Sequence, residues 1–266
     1  MLKDITLGQY VPGDSLLHRL DPRTKIIGSM LYIIALFLLK SWVGYVSITV
    51  FSIALVILSA LPWRYVLRGI RPIFYIVLFT LVLNFFLTPG EVVWQLGPLK
   101  VTAEGIELGI FMGWRLLLLV LTTSLLTLTS SPIALTDGIE YLLRPFKKIG
   151  VPAHELAMMM TIALRFIPTL LEETDKIMKA QMARGADFET GNIVQRARGM
   201  IPLLVPLFVS AFRRADELAT AMEARCYRGG EGRTRLRELQ FAGRDWVAMA
   251  VSIFVLAFSI LDRILS

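Results

Sequence analysis

The chain has 266 residues, of which 55% are hydrophobic, and its formal net charge is +7. A mean hydropathy of +0.64 exceeds that of an ordinary soluble domain, so a lipid bilayer must solvate much of the chain. The Lys and Arg residues cluster in selected loops, as membrane orientation requires, which argues against nucleic acid as a partner.

The inventory of reactive side chains is small. One cysteine, Cys226, excludes an internal disulfide, and the two histidines, His18 and His154, have no metal-ligand spacing. The sequence also has no G-x-x-x-x-G-K-S/T phosphate loop. We therefore predict no metal site, no cofactor and no ATP hydrolysis by the chain itself.

The first half of the chain predicts four membrane-spanning helices. Asp21-Pro22 has the pattern of an N-cap followed by proline at the first helical position, so the first helix is expected to begin there. Arg64, Arg68 and Arg71 are predicted to lie in a short loop. The predicted spans cover approximately residues 26–39, 43–61, 72–87 and 106–129.

Basic residues are unevenly distributed among the predicted loops. The N-terminal segment and the loop of residues 64–71 are rich in them, whereas the loops containing Lys40 and Lys100 are poor. Because cytoplasmic loops carry the excess of Lys and Arg, the N-terminus is predicted to be cytoplasmic. We accordingly expect a multi-pass protein of the cell membrane.

Two polar residues lie inside the predicted spans. Arg115 and Asn84 could line a transport path, since an intramembrane polar group is costly unless it faces protein or water. Arg115 is more simply explained by pairing with another helix or by snorkelling, and Asn84 by an interhelical hydrogen bond. The sequence favours these packing roles.

The region of residues 132–245 is predicted to be cytoplasmic, because it holds 17 of the 28 Lys and Arg residues. Its apolar pieces, residues 156–171 and 201–212, contain prolines and are shorter than the roughly 20 residues of a bilayer span. We expect surface helices there, partly buried under the membrane domain. A last span, residues 246–261, follows. The predicted domains are therefore residues 1–131, 132–245 and 246–266.

A short pattern occurs twice in the cytoplasmic region, since residues 175–185 align with residues 216–226 without a gap. Both copies predict a helix with a stripe of small and apolar residues that ends in one arginine, Arg184 or Arg225. A single arginine there would be an ordinary helix end, because its charge complements the helix dipole. The matched pair favours a functional role.

These motifs belong to a larger set with a specific order and spacing. Together they resemble the transmembrane T component of energy-coupling factor (ECF) transporters, over nearly the whole chain. The matching segments are residues 8–10 (GQY), 13–15 (GDS), 18–25 (HRLDPRTK), 165–168 (RFIP), 183–185 (ARG) and 224–225 (AR).

The resemblance implies a membrane scaffold in an importer of vitamins or transition-metal ions. Such a component joins two ATP-binding-cassette ATPases to a small membrane protein that binds the substrate, the S component. It is not itself an enzyme, and its coupling helices dock in grooves of the ATPases. The residues that correspond to the docking motifs are Ala183, Arg184, Gly185, Ala224, Arg225 and Cys226. Cys226 replaces the glycine of the pattern, so the cap geometry there stays open.

A methionine-rich surface near two prolines is the candidate contact for the S component, because methionine adapts to several partners. Simple core packing of these residues is about equally consistent with the sequence. The residues concerned are Met158, Met159, Met160 and Met200, with Pro168 and Pro202.

The sequence thus predicts an all-α integral membrane protein with about five transmembrane helices and a cytoplasmic coupling domain of two long helices. The alternative is a stand-alone channel or secondary transporter with Arg115 and Asn84 in its path, although no inverted repeat is visible. A membrane-embedded enzyme lacks a nucleophile and base pair. The substrate cannot be read from this chain, but the shared N-terminal motif favours a module that serves several vitamin-specific S components.

Overall fold

A computed structural model of the chain confirms the predicted all-α fold. It describes residues 10–96, 99–186, 188, 192–230 and 239–265. The helices are α1 (Pro22–Leu38), α2 (Trp42–Ser59), α3 (Trp63–Leu87), α4 (Ala103–Thr129), α5 (Pro132–Leu143), a 3-10 helix (Arg144–Ile149), α6 (Ala153–Ala183), α7 (Ile193–Ala224) and α8 (Gly243–Leu265).

Capping residues fix the starts of several helices where the sequence indicated them. The Asp21 carboxylate accepts a hydrogen bond from the backbone N–H of Arg23, and Pro22 occupies the first helical position, as predicted. Ser131 caps α5 in the same way, through the N–H of Ala134 at 3.2 Å. These side chains satisfy N–H groups that a helix start would otherwise leave unpaired.

Four of the described helices are long and apolar enough to cross a membrane by length and composition: α2, α4, α6 and α8. The 17-residue helix α1 and the apolar part of α3, Ile73–Leu87, are shorter. The sequence analysis had predicted that the apolar piece of α6 is too short to span a membrane, so its presence among these four helices differs from that prediction. Pro168 does not interrupt the helix, so the apolar residues on both sides belong to one continuous element.

The start of α3 and the connection to α4 also differ from the predictions. Arg64 and Arg71 lie within α3 and not in a loop, because arginine is a good helix former and the helix extends beyond its apolar part. The connection forms an antiparallel ribbon of β1 (Val92–Leu96) and β2 (Leu99–Thr102), in which Leu96 pairs with Leu99 and Val92 with Thr102. The β-branched residues of this segment favour strands and could have indicated the ribbon in the sequence.

The described residues divide into two compact units. Residues 10–139 and 239–265 form the first, which we call the core unit, and residues 140–230 belong to the second, the long-helix unit. In the core unit α1 packs on α8 and α3 on α4. One buried cluster joins α1, α2, α4 and α8 through Tyr32, Ala35, Leu36, Leu39, Tyr45, Ile48, Leu118 and Val255.

Glycines allow α3 and α4 to approach each other closely. Gly105, Gly109 and Gly113 recur every four residues and are buried on one face of α4. A Cβ at Gly109 would lie 2.9 Å from the ring of Phe85, and one at Gly105 would lie 2.7 Å from the carbonyl oxygen of Asn84. This small-residue packing is typical of membrane helices, where apolar contact with lipid and with protein is nearly equivalent.

Candidate docking site at the ends of the long helices

Three contacts show that α6 and α7 pack side by side in opposite directions. The Glu173 carboxylate on α6 accepts hydrogen bonds from the Ser210 hydroxyl and, at 2.8 Å, from the Arg214 guanidinium on α7. Further along α6, Gln181 donates to the carbonyl oxygen of Pro202, earlier on α7. Because later residues of α6 contact earlier residues of α7, the two helices are antiparallel.

The Gln181 contact compensates for one of the two prolines inside α7. Pro206 has no N–H, so it cannot make the helical hydrogen bond to the carbonyl of Pro202 four residues earlier. The side-chain amide of Gln181 donates to that carbonyl instead. Both prolines lie within one helix of 32 residues.

The first predicted motif terminates α6 with a Schellman cap. The N–H of Gly185 donates to the carbonyl of Met182, and the N–H of Ala186 to that of Gln181, both at 3.0 Å. Gly185 adopts φ of +88°, the left-handed conformation that glycine accepts without cost. Arg184 occupies the cap position and is exposed.

The second motif repeats this cap with a different residue. The N–H of Cys226 donates to the carbonyl of Glu223 at 2.8 Å, and that of Tyr227 to Met222 at 3.0 Å. Cys226 takes φ of +55° in the position that Gly185 holds in the first motif. The geometry left open by the sequence is thus the same at both ends, although the cysteine carries the cost of a left-handed backbone.

Both motif arginines are available to a partner. Arg184 and Arg225 are exposed, and neither guanidinium forms an ion pair or hydrogen bond with another described residue. Met158 of α6 lines a cavity with Arg225, whereas Arg184 follows the far end of α6. At 1.5 Å per residue, the two arginines lie roughly 40 Å apart along the helix pair.

A cavity of about 440 Å³ lies beneath the second motif. Met158 and Ile162 of α6 line it together with Leu218 and Met222 of α7, next to Arg225. The structure therefore brings Met158, a predicted S-component contact, together with the second arginine motif. The cavity belongs to the long-helix unit.

The other residues predicted to contact the S component are dispersed. Met159, Met160 and Met200 are exposed, at 55%, 45% and 47%. Pro168 and Pro202 are also exposed, but Pro202 lies beside Gln181, which is about 20 Å along α6 from Pro168. These residues do not form one continuous patch.

The apolar piece of residues 201–212, predicted to be part of a surface helix, places an exposed stripe on one face of α7. Ile201, Val205, Phe208 and Phe212 follow each other at intervals of four, three and four residues, so they share one helix face. Their exposed fractions rise from 53% at Ile201 to 69% at Phe212. The helical spacing of these four apolar residues could have indicated the stripe in the sequence. The stripe is an apolar surface suited to contact with another protein or with lipid.

His154 contacts the segment that follows the second motif. The Nδ1 atom of His154 lies 3.1 Å from Glu140 Oε1, and its Nε2 atom lies 3.5 Å from the hydroxyl of Tyr227. The ring also fills the space that a side chain at Gly230 would need, since a Cβ there would approach it to 2.3 Å. His154 thus has a structural role beside the second motif.

The intramembrane polar residues are engaged within the core unit. Arg115 donates to the Tyr45 hydroxyl at 2.7 Å and to the carbonyl of Leu39 at 3.4 Å, which is the predicted pairing with other helices. Asn84 donates at 2.8 Å to Thr80 of its own helix, so the predicted interhelical bond is not the one observed. These contacts favour the packing roles over a transport path.

The HRLDPRTK segment forms a buried polar junction between the starts of α1 and α8. Arg23 is 2% exposed, and its guanidinium pairs with the Asp21 carboxylate at 3.1 Å. Asp245 is 1% exposed and accepts hydrogen bonds from the N–H of Asp21 at 2.7 Å and of Ala242 at 2.9 Å. Phe241 lies against the guanidinium of Arg23. This segment therefore holds the starts of two helices together.

Comparison with known proteins gives a consistent result. Residues 13–236 match the family described as "Cobalt transport protein", CbiQ. The chain is 58% identical over 262 residues to the energy-coupling factor transporter transmembrane protein EcfT of Thermosediminibacter oceani, covering 98% of this chain and 99% of that protein. It is 58% identical over 268 residues to the protein of the same name from Clostridium kluyveri, covering 99% and 98%. The Bacillus subtilis protein of that name is 52% identical over 258 residues, with 97% of each chain covered.

Proposed function

The chain belongs to the CbiQ family, as a transmembrane T component of energy-coupling factor transporters, and we propose that it transmits ATP-driven motion from two ATPase subunits to an S component. As a multi-pass membrane component of a transporter, it is not a catalytic enzyme. Under this proposal, ATP hydrolysis takes place in the partner subunits. The chain resides in the cell membrane with its N-terminus in the cytoplasm.

The observation that carries the proposal is the pair of matching helix ends. Arg184 and Arg225 both follow an alanine, both occupy the cap position of a Schellman motif and both are exposed. The antiparallel packing of α6 and α7 supports one docking site at each end of the pair. Two separate sites suit two ATPase subunits better than one shared site.

Arginine suits this docking role because its planar guanidinium can bind a carboxylate through two parallel hydrogen bonds. The small side chains of Ala183 and Ala224 allow the helix ends to approach a groove closely. Truncating one partner of such a buried charge pair typically costs about 2–5 kcal/mol of binding free energy. Each arginine should therefore contribute strongly to assembly.

The S component is proposed to contact the exposed apolar surface of the long-helix unit. This surface comprises the α7 stripe from Ile201 to Phe212 and the methionines Met159 and Met160. An apolar helix face binds a membrane protein without a requirement for precise polar pairing, so different S components could share it. We propose a vitamin as the substrate class, selected by the S component and not by this chain.

The α6–α7 pair would carry the motion between these partners. Glu173, Ser210 and Arg214 link the helices midway, and Gln181 links them near the first motif. When the ATPases close on ATP, displacement of the two helix ends would therefore tilt the pair as a unit. The apolar stripe on α7 would move with it.

The test is affinity purification of the complex from native membranes with Arg184→Glu and Arg225→Glu combined. We expect the wild-type chain to bring down ATP-binding-cassette subunits and small membrane proteins, and the double variant to lose the ATPases. Arg213→Glu is the matched control, because Arg213 is an exposed arginine of α7 outside both motifs. Retention of the ATPases by the double variant would refute the docking assignment.

A second measurement separates this function from that of a self-sufficient transporter. Reconstituted alone in vesicles, the purified chain should catalyse no substrate uptake, because the energy source and the selective subunit are absent. Uptake by the chain alone would support a channel or secondary transporter instead.

A further inference from the structure

The core unit contains an apolar cleft of about 470 Å³ between α1, α2, α4 and α8. This volume is in the range of about 300–1,000 Å³ found for ligand pockets. The walls are mainly apolar, and they include Leu20, Tyr32, Leu55, Leu125, Val251 and Val255. The cleft can therefore accommodate a hydrocarbon chain.

The charged residues of the cleft lie at one end, where α1 and α8 begin. Lys25 follows the start of α1, and Arg244 follows the start of α8. The two starts are adjacent because Asp245 accepts a hydrogen bond from the N–H of Asp21. By the distribution of basic residues, this end faces the cytoplasm, where a membrane presents anionic lipid headgroups.

The two cations differ in their availability. The Lys25 ammonium donates to the carbonyl oxygens of Thr129 at 2.8 Å and His18 at 3.3 Å, and to the Ser130 hydroxyl at 3.2 Å. Its three donors are thus occupied, and the carboxylates of Asp21 and Asp245 lie near its charge. Arg244 is exposed and makes no ion pair or hydrogen bond to any residue that the structure describes.

We propose that this cleft binds one anionic phospholipid, with an acyl chain between the helices and the phosphate beside Arg244. The exposed Arg244 guanidinium supplies the cation for the phosphate. Basic pockets between membrane helices on the cytoplasmic side are suited to such headgroups. The site lies wholly within the core unit, so the proposal does not depend on the docking of ATPases.

The test is native mass spectrometry of the full chain in detergent with equal amounts of phosphatidylglycerol and phosphatidylcholine. We expect the wild type to retain phosphatidylglycerol preferentially, and Arg244→Gln to reduce that preference about fivefold. Arg263→Gln is the matched control, since it removes an exposed arginine from the opposite end of α8. Equal retention of the two lipids by the wild type, or equal loss in both variants, would overturn the proposal.

Competition experiments identify the occupant. Inorganic phosphate at millimolar concentration should leave the phosphatidylglycerol adduct intact, because it provides no acyl chain. Displacement by phosphate would show a simple anion site and overturn the proposal. Absence of the lipid from the purified transporter complex, with retention by the isolated chain, would assign the cleft to a protein partner and would also overturn it.

Discussion

Cys226 occupies, after α7, the left-handed position that Gly185 holds after α6, and a side chain there carries a conformational cost of roughly 1–2 kcal/mol. Cys226→Gly should therefore raise the free energy of unfolding by up to about 1 kcal/mol, once the added entropy of glycine in the unfolded chain is subtracted. Thermal unfolding in detergent measures the change.

The opposite substitution provides the matched comparison. Gly185→Ala should lower the free energy of unfolding by about 1 kcal/mol, because it imposes at the first end the strain already present at the second. If both variants shift the unfolding temperature in the same direction, the left-handed backbone is not what determines their stability.

Asp245 is the residue on which the junction of α1 and α8 depends. Its two carboxylate oxygens accept hydrogen bonds from the N–H groups of Asp21 and Ala242. Asp245→Ala should cost about 2–4 kcal/mol, because each unsatisfied buried donor costs about 1–3 kcal/mol. Asp245→Asn retains one acceptor oxygen and should cost less. Equal losses of stability in the two variants, measured by thermal unfolding, would contradict this account.

At the scale of secondary-structure elements, the packing of α3 on α4 depends on glycine. Gly109→Leu would place a large side chain against the ring of Phe85, and overpacking of this kind costs about 1–3 kcal/mol. The variant should unfold at a lower temperature in detergent. Met112→Leu, at an exposed position of the same helix, should have little effect and serves as the control.

The link between α6 and α7 should depend on pH. The hydrogen bond from Ser210, assisted by the charges of Arg214 and Lys176, holds the pKa of Glu173 below its usual range. Glu173 lies beyond the apolar stretch of α6, in its charged part. A carboxylate with a lowered pKa stabilises the fold above its unfolded pKa, and this contribution is lost as the pH falls through the folded value.

A double-mutant cycle of Glu173→Gln and Arg214→Gln measures this link. The coupling free energy should be about 0.5–1 kcal/mol at neutral pH, since both side chains are partly exposed. It should decline as the pH falls toward the acidic range in which Glu173 becomes protonated. A coupling that is unchanged by acid would exclude the ion pair as its source.

Elements with local signals were predictable from the sequence. The start of α1 at Asp21-Pro22 is determined by a cap and a proline, and both act within one helical turn. The continuity of α7 was not predictable, because its compensating hydrogen bond comes from Gln181 on another helix. Likewise, Asp245 is 224 residues from Asp21, and no sequence pattern connects the two. The repeated motif predicted two matching helix ends, but their positions at opposite ends of the helix pair required the structure.

At the scale of the whole molecule, the separation of Arg184 and Arg225 predicts independent contributions to assembly. Sites more than about 7–10 Å apart usually have additive effects, so the losses of ATPase affinity in Arg184→Glu and Arg225→Glu should sum in the double variant. Surface plasmon resonance with the purified ATPases measures the loss of affinity in each single variant and in the double variant. A double variant no weaker than either single variant would indicate one shared site.

The substitution of cysteine in the second motif also has a practical consequence. Cys226 is the single cysteine of the chain, and it is exposed directly after Arg225. A maleimide-linked fluorophore or spin label can therefore be attached at the end of α7 in the natural sequence, with no other thiol in the chain to remove. The two ends, alike in backbone, are chemically distinguishable, so a reporter can follow one of them through a transport cycle.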